Sequence, residues 1–300
     1  MSCVAVIGGG LMGVGIAQVF AACGHSVRVY EPVESLRRSV RLRAGDNLHA
    51  IGLNAAAAAL IETPPDLCST VEGAHYVTEA APEKLELKRE IFAQLVAHAP
   101  RTAILASNSS VIPITRIAAG LETAERMVGT HWWNPAPLIP LVEVIQGEQT
   151  DDATIATTLR VLREIGKRPA HVKKDIPGFV ANRLQHALWR EAIAMVAAGV
   201  CDAATLDECV KSSFGLRLSV LGPLENADLV GLDLTLDIHR TIIPELDRHA
   251  GPHEFLQAQV DAGRLGFKSG AGFRAWNDEE MKSLRERLTR HLLAAQVARR

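Results

Sequence analysis

The feature that most restricts the fold is a glycine-rich turn set between a strand pattern and a helix pattern near the N-terminus. Cys3–Ile7 (CVAVI) is a short run of β-type apolar residues, as in a strand buried on both faces. It runs into Gly8-Gly9-Gly10-Leu11-Met12-Gly13. Ile16–Cys23 then predicts an alanine-rich helix that Gly24 terminates. Ser26–Tyr30 alternates as a second strand and ends at Glu31. Gly8-x-Gly10-x-x-Gly13 has the spacing of a dinucleotide fingerprint. Its first glycine makes the tight turn, its second lets backbone approach a pyrophosphate, and its third lets helix and strand pack closely. The helix start at Leu11 and Met12 would offer unpaired N–H groups to the phosphates. A bare motif of this kind is weak, but the strand before it, the helix after it and the acid at Glu31 make it specific. Glu31 is expected to take the ribose hydroxyls and to repel a 2′-phosphate, which favours NAD over NADP. Arg28, opposite in facing to Val27 and Val29, reads as a solvated strand residue.

Further strands are expected at Tyr76–Thr78, Ala103–Ala106, Met127–Gly129, Leu141–Ile145 and Ala170–Val172, with helices between, including Leu85–Ala97 and Ala153–Ile165. Alternating β and α argues an α/β domain, a doubly wound Rossmann sheet, over residues 1–176. After Pro177 no strand pattern is evident. Phe179–Ala198, Ala203–Val210, Leu229–Arg240 and Asp278–Arg299 read as helices, so residues 177–300 are expected to form an all-α C-terminal domain. The alanines of Ala55–Ala59 read as a short surface helix or connector.

Charge and composition remove several classes. Thirty-two basic against 34 acidic residues leave a formal charge of −2, unlike the basic surface of a nucleic-acid binder. No apolar run reaches the ~18–20 residues that span a bilayer. The first positive charge is Arg28, so the N-terminus does not read as a secretory leader. Five cysteines without CxxC spacing argue against a disulfide or metal framework. A soluble cytoplasmic protein with no metal, nucleic-acid or membrane partner is expected.

The candidate chemistry lies between Ala106 and Ile145. His131 falls where a strand gives way to Trp132-Trp133-Asn134-Pro135, at the kind of strand end where doubly wound sheets bind ligands. Glu143 lies within Leu141-Val142-Glu143-Val144-Ile145, where an acid needs a partner. A histidine with a carboxylate partner is the usual base for an alcohol proton, although spacing alone equally allows an outward-facing Glu143 and a structural loop histidine.

Several segments in register resemble the L-3-hydroxyacyl-CoA dehydrogenase family. They are Glu79–Lys88, Ser107-Asn108-Ser109-Ser110 through Thr115, His131–Pro135, Leu141–Ile145, Pro177–Arg183, Gly222–Leu224 with Ala227–Gly231, and Gly263–Phe273. The resemblance implies His131 as catalytic base, Glu143 as its carboxylate partner, and Ser110 and Asn182 as substrate-oxygen ligands. It also implies Glu83, Lys88, Asn134 and Ser110 as cofactor contacts, although Lys88 also reads as part of a solvated helix face. Asn182, beginning a helix, fits either a residue aimed across the domain cleft or a helix-start hydrogen bond. The implied reaction interconverts an L-3-hydroxyacyl-CoA and its 3-oxo form with NAD, in fatty acid metabolism, by a homodimer. Acyl-CoA users carry a lysine-rich arm after the second strand, whereas Val33–Ala81 has no lysine here. Arg37, Arg38, Arg41 and Arg43 are present, and Arg38 and Arg41 are the candidate grip on CoA phosphates. The Trp-Trp loop and Leu138–Glu143 look more like the gulonate, carnitine and lambda-crystallin branch, so a free small 3-hydroxy acid is the alternative substrate. An NAD-binding structural or sensor protein is a more remote one.

Overall fold

The computed structural model describes residues 3–297. In chain order the first unit contains β1 (Cys3–Ile7), α1 (Leu11–Ala22), β2 (Ser26–Tyr30), α2 (Glu34–Ala50), β3 (Ile61–Glu62), α3 (Leu67–Val71) and β4 (Tyr76–Glu79). It continues with α4 (Leu85–His98), β5 (Ile104–Ser107), α5 (Ile114–Ala118), β6 (Met127–Trp132), β7 (Leu141–Ile145), α6 (Asp152–Glu164) and β8 (Arg168–Val172). The sheet runs β3-β2-β1-β4-β5-β6-β7-β8. All neighbours pair in parallel except β6 and β7, which are antiparallel. This is the mostly parallel, doubly wound sheet expected from the alternating pattern.

Both sheet faces are covered, which is why the strands read as continuous apolar runs. Val4 and Val6 face a layer containing Phe20 of α1. Ala5 and Ile7 face the opposite layer, with Phe92 of α4. The strand register sets Ile7 beside Glu79, Glu79 beside Ser107, and Ser107 beside Gly129. The polar residues of the site therefore share one edge of the sheet.

The chain divides into two compact units. One holds the residues up to Asn182 and those from His291, and the other spans Arg183–Arg290. The partition falls six residues beyond the 176/177 boundary expected from the sequence and returns the C-terminal stretch to the first unit. The remaining helices are α7 (Ala181–Ala197), α8 (Ala203–Lys211), α9 (Phe214–Arg217), α10 (Pro223–Val230), α11 (Leu232–Ile242), α12 (Glu254–Asp261) and α13 (Asp278–Val297). The single helix expected over Leu229–Arg240 is replaced by α10 and α11, broken at Gly231 with φ 100°. β3 escaped the sequence reading because two residues carry no periodicity. α7 begins two residues later than expected, because Gly178 and Phe179 both have positive φ, 76° and 49°. Arg28 is not a freely solvated strand residue: its guanidinium donates to the carbonyls of Ser69 and Glu72 and pairs with Glu62.

The turn glycines divide into two kinds. A Cβ on Gly13 would lie 1.8 Å from the Gly8 carbonyl oxygen, so Gly13 is required for β1 and α1 to approach. A Cβ on Gly10 would meet nothing within 4 Å. Gly10 has extended backbone, φ −70° and ψ −168°, so alanine fits there without strain. Its absent side chain leaves open space at the start of α1. Gly10→Ala is therefore expected to change Tm by only a few degrees, the scale of a helix-cap change of about 1 kcal/mol, while weakening NADH more than about tenfold. Gly13→Ala is expected to lose folded protein outright. Thermal melts and NADH fluorescence titration on the two variants check the distinction.

Candidate active site

The nucleotide end is built from β1, α1 and the end of β2. Helix α1 has no side-chain cap at Gly10 and no acid in its first turn, so the N–H groups at its start remain for an anion. Glu31 is buried and preset by the loop itself: Gly9 N donates to Glu31 Oε2 at 2.9 Å and Val33 N to Oε1 at 3.1 Å. Two arginines of α2 brace the same loop. Arg37 Nη1 donates to the Glu31 carbonyl at 2.9 Å, and Arg43 Nη2 to the Gly9 carbonyl at 2.5 Å. The uncapped helix and the open space at Gly10 fit a bound dinucleotide.

The centre of the site is a cross-strand pair. In the antiparallel β6–β7 ladder His131 lies directly opposite Glu143. Directly opposed side chains share a sheet face, and His131 Nδ1 meets Glu143 Oε2 at 2.8 Å. Both residues are buried, 4% and 1% exposed. The other oxygen, Oε1, accepts from Val180 N and Ala181 N, both at 3.0 Å. These are the unpaired donors at the start of α7, so the carboxylate that orients the histidine also caps a helix. Burial alone would raise the Glu143 carboxyl. The His131 hydrogen bond, the two backbone N–H groups and the histidine charge outweigh it and hold the carboxyl below its ordinary range. Glu143 therefore stays ionised across neutral pH. An ionised acceptor on Nδ1 assigns the proton to that nitrogen and leaves Nε2 as the acceptor. Phe179 and Trp133 sit 5.7 and 5.1 Å from the imidazole, ring centroid to centroid.

Ser110 is fixed from both ends of its backbone. Its N–H donates to Glu83 Oε1 at 3.0 Å, and its carbonyl accepts from Asn182 Nδ2 at 3.0 Å. Glu83 Oε1 also takes the N–H groups of Val111 and Ile112 and the hydroxyl of Ser109. Burial would raise Glu83, but the Ser109 hydroxyl, the Lys88 charge and the backbone donors together hold it low. The Asn182 amide reaches the backbone of the Ser110 loop. It ties α7 to the Ser110 loop. Asn134 is exposed in the segment after β6, followed by a cis peptide to Pro135.

Lys88 differs from its expected place. It is neither on a solvated helix face nor open to a cofactor: its side chain is 0% exposed. Its ammonium donates to both Glu79 oxygens, at 2.8 and 3.0 Å, and lies 3.4 Å from Glu83. It acts on the site through Glu83. Arg38 pairs with Glu34 on the exposed face of α2, and Arg41 is exposed one turn along. Neither is brought to the His131 centre by any contact.

Three supporting residues were missed from sequence. Asn108 Oδ1 accepts from Trp132 N at 2.9 Å and joins the Ser110 loop to the end of β6. Glu79 and Ser107, hydrogen-bonded at 2.7 Å, complete the network under Glu83. Glu79 ends a strand buried at all four positions, the same signal of an acid needing a partner that marked Glu143.

Known proteins resemble the chain along most of its length. Residues 3–176 match the family model described as 3-hydroxyacyl-CoA dehydrogenase, NAD binding domain, and residues 178–276 match 3-hydroxyacyl-CoA dehydrogenase, C-terminal domain. The chain is 36% identical over 296 residues to 5-formyl-3-hydroxy-2-methylpyridine 4-carboxylate 5-dehydrogenase of Mesorhizobium japonicum, covering 97% of this chain and 96% of that one. It is 36% identical to the human mitochondrial hydroxyacyl-coenzyme A dehydrogenase, over 90% of each chain. A crystal structure of a 5-formyl-3-hydroxy-2-methylpyridine 4-carboxylic acid 5-dehydrogenase, described as an NAD+ dependent dismutase, superposes with a TM-score of 0.91 at 34% identity, covering 99% of this chain and 97% of that one. With an NAD-binding domain at its N-terminus and family segments along both units, the chain belongs to the 3-hydroxyacyl-CoA dehydrogenase family of oxidoreductases.

Proposed function

We propose that the chain is an NAD-dependent dehydrogenase in which His131 is the general base, acting on a small free hydroxy acid. The His131–Glu143 pairing carries the chemistry. Nε2 takes the hydroxyl proton of the substrate, and Glu143 stabilises the imidazolium that forms. Bound NAD would supply the acceptor for the carbinol hydride, and NADH the donor in the reverse direction. Ser110 and Asn182 hold the substrate oxygen. Glu31 and the start of α1 hold the adenosine and pyrophosphate side, and Asn134 and Glu83 serve the nicotinamide ribose side.

The substrate reading rests on the arginines of α2. A grip on CoA phosphates needs free cations, and Arg37 and Arg43 are spent on the carbonyls of the nucleotide loop. Arg38 is offset by Glu34, which leaves exposed Arg41 as a single cation where several phosphates would have to be gripped. Such a surface pair is worth at most ~1 kcal/mol, but Glu34 cancels its charge. The relative and the solved structure named for a pyridine carboxylate support a free carboxylate over a thioester. The acyl-CoA reading keeps the support of the human relative.

The helices of the second unit support a homodimer. None of α7 to α12 has a buried residue. Leu188, Trp189, Leu224, Leu234 and Ile238 are all exposed, a larger apolar surface than a lone unit leaves to water.

Three outcomes are expected. His131→Gln lowers turnover by ~10²–10⁴-fold with NADH affinity nearly intact, and Glu143→Gln costs nearly as much; an active His131→Gln enzyme ends the mechanism. With NADH, free 3-oxo acids are reduced with higher kcat/KM than acetoacetyl-CoA, and Arg38→Glu with Arg41→Glu leaves every KM within about twofold. If the double variant instead raises KM for acetoacetyl-CoA about tenfold, and salt mimics part of the effect, the thioester reading replaces this one. Light scattering at micromolar concentration gives the mass of a dimer; a monomer mass contradicts the assembly.

A further inference from the structure

Lys167 stands in the turn between α6 and β8, just after Gly166, its own N–H donating to the Leu162 carbonyl at 2.9 Å. Nothing in the proposed chemistry uses it, yet its side chain is taken almost wholly out of water, at 7% exposure. Its ammonium donates to two carbonyls of the segment after β6, those of Ala136 and Ile139, the latter at 2.9 Å. It also lies 5.3 Å from the centroid of the Trp132 ring, a cation over an aromatic face. No carboxylate lies within 4.0 Å of it among the described residues. Burial pushes its pKa down to about 8, and the one titratable group acting against this is the Cys23 thiol. A buried ammonium without a counter-ion costs the fold stability at neutral pH. The cost is borne where only backbone dipoles and an indole ring answer it.

The segment so held lies between the two halves of the site. Ala136 packs on α1, where a Cβ on Gly15 would come 3.2 Å from its own. Leu138 N and Ile139 N turn the segment back on the Pro135 carbonyl at 3.0 Å. Gln296 Nε2 donates to the Pro137 carbonyl at 3.1 Å, and Arg168 N to that of Pro140 at 2.8 Å. These bonds close the segment at its turn and its far end. Lys167 draws Ala136 and Ile139 onto a single atom, and Ala136 is two residues from Asn134 and three from Trp133.

We propose that Lys167 is a positioning residue for the nicotinamide side of the site, its ammonium clamping the segment that carries Trp133 and Asn134 between His131 and the phosphate-binding helix. The proposal rests on the reading of Asn134 as a contact on that side of the cofactor. It separates two halves of one ligand. ADP engages only the adenosine and pyrophosphate end, held by Glu31 and α1, whereas NADH must also engage the clamped segment.

Lys167→Met keeps the aliphatic packing and removes the donors. Calorimetric titration is expected to give an ADP Kd within about twofold of the wild type and an NADH Kd raised about tenfold or more. Lys167→Arg, which retains charge and donors, is expected to recover most of the NADH affinity. Lys167→Gln, which keeps one amide donor, takes the place of the methionine variant with the same readout if that variant does not fold. Equal loss for both ligands means a general structural role and overturns the proposal, as does an unchanged NADH Kd. Wild-type protein that binds ADP and not NADH would instead overturn the reading of Asn134 and of the cofactor site. Because the readout is binding without substrate, it is independent of which alcohol the enzyme oxidises.

Discussion

A carboxylate placed inside a sheet is tolerated only when its oxygens are answered, because stranding it away from water costs several kcal/mol. Glu143 meets that requirement from two elements at once: His131 on the neighbouring strand takes one oxygen, and the first N–H groups of α7 take the other. The orientation of the imidazole, the place where α7 begins and the ionisation of the acid are therefore one arrangement. The positive φ of Gly178 and Phe179 turns the chain so that the N–H groups of Val180 and Ala181 point at Glu143. Asn182 then follows on the first turn, bonded to the Ser110 carbonyl. His131, Ser110 and Asn182 are linked through this one acid and the helix it caps.

The same logic recurs three strands away, on β4. Glu79 is answered by Lys88 and Ser107, and Lys88 in turn faces Glu83. Glu83 gathers the N–H groups of three consecutive residues onto one oxygen and so shapes the Ser110 loop. A fully buried ion pair of this kind adds little net stability over an apolar pair, but removing one partner is expensive, about 3–5 kcal/mol. Its value is in geometry. It gives the loop a floor that cannot relax without stranding a charge.

Much of this was legible in the sequence, for reasons that differ by residue. The glycine turn was readable because close backbone approach admits no other residue at Gly13. β1 and β7 were readable to the residue because apolar runs mark strands buried on both faces, and β2 because its apolar residues alternate. His131 and Glu143 were readable as candidates, but their pairing is a matter of ladder register, which one-dimensional spacing does not reveal. Lys88 was misplaced because helical periodicity takes no account of a cation turned inward to meet acids on other elements. Asn108 and Lys167 were missed because each bonds to backbone, and backbone acceptors leave no mark on the sequence. The arginines of α2 were readable as a cluster, yet which of them were spent on the nucleotide loop depended on how Glu31 and Gly9 present their carbonyls.

The reversal of direction between β6 and β7 makes the intervening chain a matter of parity. Side chains on a strand alternate between faces with a period of two, so the register across the β6–β7 ladder decides on which face Glu143 emerges. Eight residues, 133 to 140, join Trp132 to Leu141. Lengthening or shortening that span by one, if taken up as a register shift, would carry Glu143 to the face away from His131 and leave a bare carboxylate in an apolar layer. A change of two would restore the face but set the acid one pleat off its partner. The length of this connection, more than the identity of the residues it carries, thereby fixes whether acid and histidine meet.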